Sequence, residues 1–111
     1  MKDKDKIMLQ KMDNYIQEIL QYTKEMSFDD FHNDQKTINA SAFLIGQIGE
    51  LVIRISDETK KDNFHIPWKD VKGMRNCIIH DYENVDLTVL WYTIEKDLPI
   101  LSNELNKLLA K

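Results

Sequence analysis

Arg75-Asn76-Cys77-Ile78-Ile79-His80-Asp81-Tyr82 sets a permanent cation, an amide, an imidazole and a phenol within about two helical turns. Cleaving a phosphodiester calls on such a set. A cation stabilises the charge that grows on the phosphorane oxygens, and a group of near-neutral pKa moves protons. His80, with an unperturbed pKa of about 6.5, suits a general base or acid. Arg75 offers a fixed fork of donors for the equatorial phosphate oxygens. Asn76 would orient the phosphate or the imidazole, and Tyr82 would add a hydrogen bond or a stacking surface. Lys69 and Lys72, just upstream, are candidate substrate-binding cations.

Taken singly, each of these residues also has a structural use. Arg75 fits an ion pair, with Glu50 as one candidate partner. His80 fits a helix C-terminus, where it satisfies carbonyls and the dipole. Tyr82 fits a half-buried position with its hydroxyl in water.

The surrounding string is more specific. Ile48-Gly49-Glu50 is followed by Ile66-Pro67-Trp68, Gly73-Met74-Arg75-Asn76, His80-Asp81-Tyr82 and Asp97-Leu98-Pro99. In that order, over about Phe28 to Pro99, these segments resemble the HepT-like proteins, a branch of the HEPN superfamily marked by Arg-x4–6-His and here extended by x-Tyr. The first helix adds nothing to the likeness. The resemblance implies an all-helical ribonuclease toxin that works as a homodimer, pairing its motifs in a composite cleft. It implies cleavage of RNA, tRNA or mRNA among the usual targets, without a metal or cofactor, leaving a 2′,3′-cyclic phosphate and a 5′-hydroxyl. It also implies an MNT-type nucleotidyltransferase antitoxin as partner, with Tyr82 as the residue to which AMP is attached.

Helical geometry bears on how the motif is used. At about 100° per residue, Trp68, Val71, Met74, Ile78, Ile79 and Tyr82 form an apolar stripe with Arg75 inside it. Lys69, Lys72, Gly73, Asn76 and His80 fall on a neighbouring face, with Asn76 and His80 stacked at i and i+4. Arg75 and His80 are about 140° apart on an ideal helix and cannot both point at one phosphate from one straight helix. Either the helix ends at His80 and the imidazole bends round, or the site lies between two copies of the helix. An arginine in an apolar stripe suits an interface edge, since a buried, unpaired one would cost several kcal/mol.

The other constellations are poor. His32, His65, His80 and Cys77 lack metal-ligand spacing, so no metal site is expected. Asp81, Glu83 and Asp86 read as a solvated loop and a helix cap rather than a divalent-ion site. Trp68, Trp91 and Tyr92 read as core at helical spacing rather than base-stacking residues.

Composition sets the frame. The chain has 111 residues, 42% hydrophobic and 31% charged, with three Gly and two Pro. That describes one domain, 1–111, with few breakers and room for long helices. The single Cys77 excludes an internal disulfide and reads as a small buried side chain. The net charge of −4 argues against generic nucleic-acid coating, leaves room for a locally basic cleft, and provides acidic surface for a partner. No apolar run approaches the ~18 residues that span a bilayer. Met1–Lys6 alternates charge without an apolar cleavage region, so no signal peptide is expected and the cytoplasm is the expected compartment.

Apolar periodicity predicts a helix from about Lys4 to Met26, a short one capped by Ser27, and a second long one from about Asp34 to Lys60. The second long helix is apolar on more than one face, so it is either central or shared with another subunit. Lys60–Phe64 reads as a polar connector and Pro67 as the first turn of a third helix ending near His80. Asp86 caps a last helix from Leu87 to about Ala110, kinked at Pro99. The predicted fold is all-α, a dimeric four- to five-helix up-and-down bundle of HEPN type. A second functional reading keeps this helical dimer as a module that docks, and is modified by, a nucleotidyltransferase, with cleavage weak or lost. In a third, Arg75 and His80 only brace the dimer.

Overall fold

The structure, a computed structural model, describes residues 1–80 and 86–111, with the side chains of residues 76–80 outside the description. Among the described residues it is helical throughout, with no strand. The helices are α1 (Asp3–Tyr22), α2 (Phe28–His32), α3 (Gln35–Arg54), α4 (Asp57–Asp62), α5 (Trp68–His80), α6 (Leu87–Tyr92) and α7 (Leu98–Leu109). A π-helical turn, Thr93–Asp97, joins α6 to α7, making one long rod of the two. Four rods, α1, α3, α5 and α6–α7, form the bundle, and α2 and α4 are short connecting helices. None of the described helices is long and apolar enough to cross a membrane.

Helix α3 is the centre of the bundle. It packs on α1, α2 and α5, while α7 closes the far side of α1. Its apolar residues spread around the helix because it has neighbours on several sides: Ile38, Ala42, Leu44, Ile45, Ile48, Leu51 and Val52 are all buried. Met8, Leu9, Met12, Ile16 and Ile19 of α1 supply the facing stripe, and Leu98, Leu101, Leu105 and Leu108 supply that of α7. Ile7 of α1 lies off this stripe and is exposed.

Local chemistry explains most helix starts. The Ser27 hydroxyl accepts from Asp30 N–H while the Asp30 carboxylate accepts from Ser27 N–H, a reciprocal capping box. Asp34, Ser56 and Asp86 cap α3, α4 and α6 through their side chains. At α5, Val71 N–H bonds to Pro67 O, so Pro67 begins the turn where its missing N–H costs nothing. The Trp68 indole N–H donates to Asn63 O at 3.1 Å, pinning the start of α5 to the end of α4. Trp91 packs on Phe31 with ring centroids 5.0 Å apart, which ties the start of the α6–α7 rod to α2. Trp68 and Trp91 are thus packing residues, whereas Tyr92 is exposed.

Three boundaries differ from the sequence reading. Helix α1 stops at Tyr22, not Met26, because Glu25 takes a left-handed conformation (φ 66°) that turns the chain and lets Met26 pack against the core. The second long helix ends at Arg54, not Lys60. Ile55 is extended, and Ser56 N–H is taken by the carboxylate of Asp5, 3.1 Å away in α1. In the last rod the irregularity begins at Thr93, before Pro99. Pro99 offers no N–H and its ring crowds the carbonyl four residues back. The wider turn absorbs this, with Leu98 N–H bonding five residues back to Thr93 O.

Candidate functional site

The seam between α3 and α5, the most extensive helix pairing in the bundle, carries the first motif residue. Trp68 and Val71 are buried and Met74 is half-buried, so the predicted apolar stripe does face the core. Arg75 continues that stripe. Its Nε–H donates to Glu50 Oε1 at 2.6 Å, across to α3. The arginine side chain is 24% exposed and that of Glu50 is 43% exposed. Here is the answer to an arginine in an apolar stripe: its stem lies in the seam, and its head meets a carboxylate at the seam's mouth. A half-solvated pair of this kind contributes about 1 kcal/mol or less to stability. Its geometry matters more than its energy.

Gly49 is what lets the helices come so close. A Cβ built at this buried position would overlap Arg75 Cβ and lie 3.1 Å from Arg75 Cγ and 3.3 Å from Arg75 Cα. The segment Ile48-Gly49-Glu50 therefore makes three successive contributions to one seam. Ile48 is fully buried, Gly49 receives the root of Arg75, and Glu50 receives its head. The sequence reading named Glu50 as a candidate partner of Arg75, and the structure bears that out. It did not assign a contact to Gly49, for which the quoted segment held the only signal.

Lys69 and Lys72 are exposed on α5. A Cβ at Gly73 on the same helix would meet nothing within 4 Å, so this face of α5 is open at that level. The side chains of Asn76 and His80, and the whole of Tyr82, lie outside the described residues. So do Asp81 and Glu83 and the side chains of Cys77, Ile78 and Ile79. Asp86 accepts from Thr88 N–H at 2.9 Å and Val89 N–H at 3.4 Å, the cap expected of it.

An all-helical bundle with an Arg-x4-His sequence on the helix beside its central one is of the HEPN type. The chain belongs to the HepT-like family, whose model, described as "Ribonuclease HepT-like", matches residues 12–108 and so takes in most of α1 as well as the motif half. It is 36% identical over 108 residues to "Probable ribonuclease HepT" of Thermococcus cleftensis, covering 97% of this chain and 98% of that one. It is 32% identical over 93 residues to "Putative RNase TTE0752" of Caldanaerobacter subterraneus subsp. tengcongensis, covering 84% and 83%. It is 31% identical over 96 residues to "Putative RNase MJ0125" of Methanocaldococcus jannaschii, covering 86% and 83%. No solved structure matches the chain.

Proposed function

We propose that this protein is a metal-independent endoribonuclease, the toxin of a HepT/MNT-type toxin–antitoxin module, which cleaves RNA in a composite cleft between two copies of itself. The observation that carries the reading is Arg75, held by Glu50 at the mouth of the α3–α5 seam, in a chain of a ribonuclease family. In the proposed reaction His80 accepts the proton of a ribose 2′-hydroxyl. The 2′-oxygen forms a bond to the adjacent phosphorus, the bond from phosphorus to the 5′-oxygen breaks, and a second, protonated His80 across the paired cleft returns a proton to that oxygen. The products are a 2′,3′-cyclic phosphate and a 5′-hydroxyl. Arg75 stabilises the charge on the equatorial oxygens. Asn76 orients the phosphate or the imidazole, and Lys69 and Lys72 extend the cationic surface toward flanking phosphates. Tyr82 borders the site, and AMP attached there by the nucleotidyltransferase would fill it with bulk and negative charge.

Pairing of two copies also resolves the angular problem. Arg75 and His80 diverge by about 140° on one helix, so a single α5 does not aim both at one phosphate. Two copies facing one groove do. A protein acting on RNA with such a partner would work in the cytoplasm.

The test is a cleavage assay on total tRNA and mRNA with chelator present, comparing the wild type with His80→Ala. Cleavage by the wild type alone, leaving cyclic-phosphate ends, is the expected result. Equal cleavage by both would remove His80 from the chemistry. No cleavage by either, from a folded and unmodified dimer, would favour the second reading, a module that docks the nucleotidyltransferase.

A further inference from the structure

We infer that the groove between α5 and α7 is a docking site for a basic, apolar-anchored segment of a partner protein. It takes one large apolar side chain with lysine or arginine on either side. The site is independent of the ribonuclease reading above.

Val71 and Met74 on α5, with Ile100 and Leu101 on α7, line a cavity of about 210 Å3. Val71 and Leu101 are buried and form its floor, whereas Ile100 is 62% exposed at its edge. A lone exposed isoleucine is ordinary, but one beside an apolar hollow is a ready contact surface. The cavity is smaller than the ~300–1,000 Å3 typical of small-molecule sites. It suits a single anchoring side chain of another protein.

The rim carries one sign of charge. Asp70, Asp97 and Glu104 line it, and among the described residues no lysine or arginine does. Glu104 is shared between His65 Nε2 at 3.1 Å and Lys107 Nζ at 3.6 Å. Asp70 and Asp97 are exposed and make no ion pair among the described residues. Lys96, next to Asp97 in the chain, is exposed and does not line the cavity. Carboxylates around an apolar hollow complement cations around an apolar anchor. They oppose the phosphates of RNA and of an anionic lipid surface. A second copy of this chain, itself carrying a net charge of −4, would meet the rim against net repulsion. The groove also faces away from the cationic side of α5. Lys72 lies about 160° round the helix from Met74, and Lys69 about 140°. A partner in the groove therefore leaves both lysines open.

The probes are three synthetic peptides: an amphipathic helix of leucine and lysine, its twin with glutamate for lysine, and an oligolysine. Each is titrated into the 15N-labelled full chain. The leucine–lysine peptide should shift the amide resonances of Asp70, Met74, Ile100 and Leu101 most, and should bind more weakly as salt rises. The other two peptides each lack one half of the match and should bind at least about 10-fold more weakly. Ile100→Ser should weaken the first peptide about 10-fold. Asp70→Lys combined with Asp97→Lys should do at least as much. The amide spectrum of each variant reports whether it folds, and the peptide comparison on the wild type decides even where a variant does not. Shifts centred elsewhere would overturn the inference. So would equal binding of the oligolysine or the glutamate twin, or full binding by both folded groove variants. A short oligouridine should leave the groove resonances unmoved, and if it moves them the occupant is RNA. Sedimentation should show no self-association that depends on Ile100. An oligomer abolished by Ile100→Ser would make the occupant a second copy and overturn the inference too.

Discussion

Gly49 and Arg75 meet backbone to side-chain root across the central seam, at a separation that leaves no place for a methyl group. Helical glycines are normally improved by alanine, by roughly 0.5–1 kcal/mol of backbone entropy. At Gly49 the overlap is with a Cβ, which cannot swing aside as the end of a long side chain does. Gly49→Ala should therefore destabilise the fold, by about 1–3 kcal/mol as overpacking usually does. Gly73→Ala on α5 meets nothing within 4 Å and should be neutral or mildly stabilising. Urea denaturation of the two variants beside the wild type checks both signs at once, and a Gly49→Ala protein as stable as the wild type would contradict the packing described.

The carboxylate of Asp5 predicts how stability depends on pH. Asp5 is buried in α1. Its oxygens accept from Ser56 N–H at 3.1 Å, Ser56 Oγ–H at 2.5 Å and Thr59 Oγ1–H at 2.7 Å. Burial pushes its pKa up, but the hydrogen bonds together outweigh that and hold it below the ordinary value of 3.8. A carboxyl with a lower pKa folded than unfolded adds stability at neutral pH. That stability fades as pH falls below the unfolded value and is gone below the folded one. Asp5→Asn, which turns an NH2 toward donors, should cost about 1–3 kcal/mol at pH 7. The gap between wild type and variant should close only below about pH 4. Urea midpoints from pH 7 to pH 2.5 measure it, and a gap that stayed constant would show that the charge of Asp5 is not what matters.

The same residue shows why part of the fold was hidden in the sequence. Several helix starts were legible from local signals: Ser27 with Asp30, Asp86, and Pro67 before Trp68 all act within one turn. The break after Arg54 was not legible, since the group that takes Ser56 N–H is an aspartate 51 positions away, inside a run that alternates Lys and Asp. The stop of α1 at Tyr22 was hidden for another reason. Glu25 adopts a positive φ that Gly or Asn would have announced. Within the site, residue type and order named Arg75 and its partner Glu50. The contact that brings them together depends on helix separation, which spacing along one chain does not encode. Asn76, His80 and Tyr82 rest on the motif itself, as their side chains lie outside the described residues.

Ser102 joins α7 to α1, and it should be worth more than its size suggests. Its hydroxyl donates to Asp13 Oδ1 at 2.6 Å and accepts from Gln17 Nε2 at 2.9 Å. Both Asp13 and Ser102 are buried. Ser102→Ala removes a hydrogen-bond donor to a buried carboxylate, and should cost about 1–3 kcal/mol. Replacing both groups removes the need for a partner, so Asp13→Leu combined with Ser102→Ala should recover much of that loss. Thermal melts of the single and double variants test this. A double variant less stable than Ser102→Ala would show that shape, not polarity, governs the contact.

Arg75→Lys separates charge from geometry at the proposed catalytic centre. Lysine keeps the positive charge and most of the stem, so the α3–α5 seam should persist and stability should change by less than about 1 kcal/mol. What it loses is the Nε–H that Glu50 holds and the planar Nη edge beyond it. An ammonium can reach the Glu50 carboxylate or a phosphate as a point charge, but it does not hold one while presenting a fixed fork to the other. Cleavage should therefore fall on the order of 100-fold, the cost of removing one aligned donor from a developing oxyanion. RNA binding measured at low salt should weaken much less, since the charge that attracts phosphate is still there. Cleavage rate and RNA affinity on the same preparation decide the matter. If the lysine variant cleaves like the wild type, charge alone suffices and the fork of Arg75 has no role in the reaction.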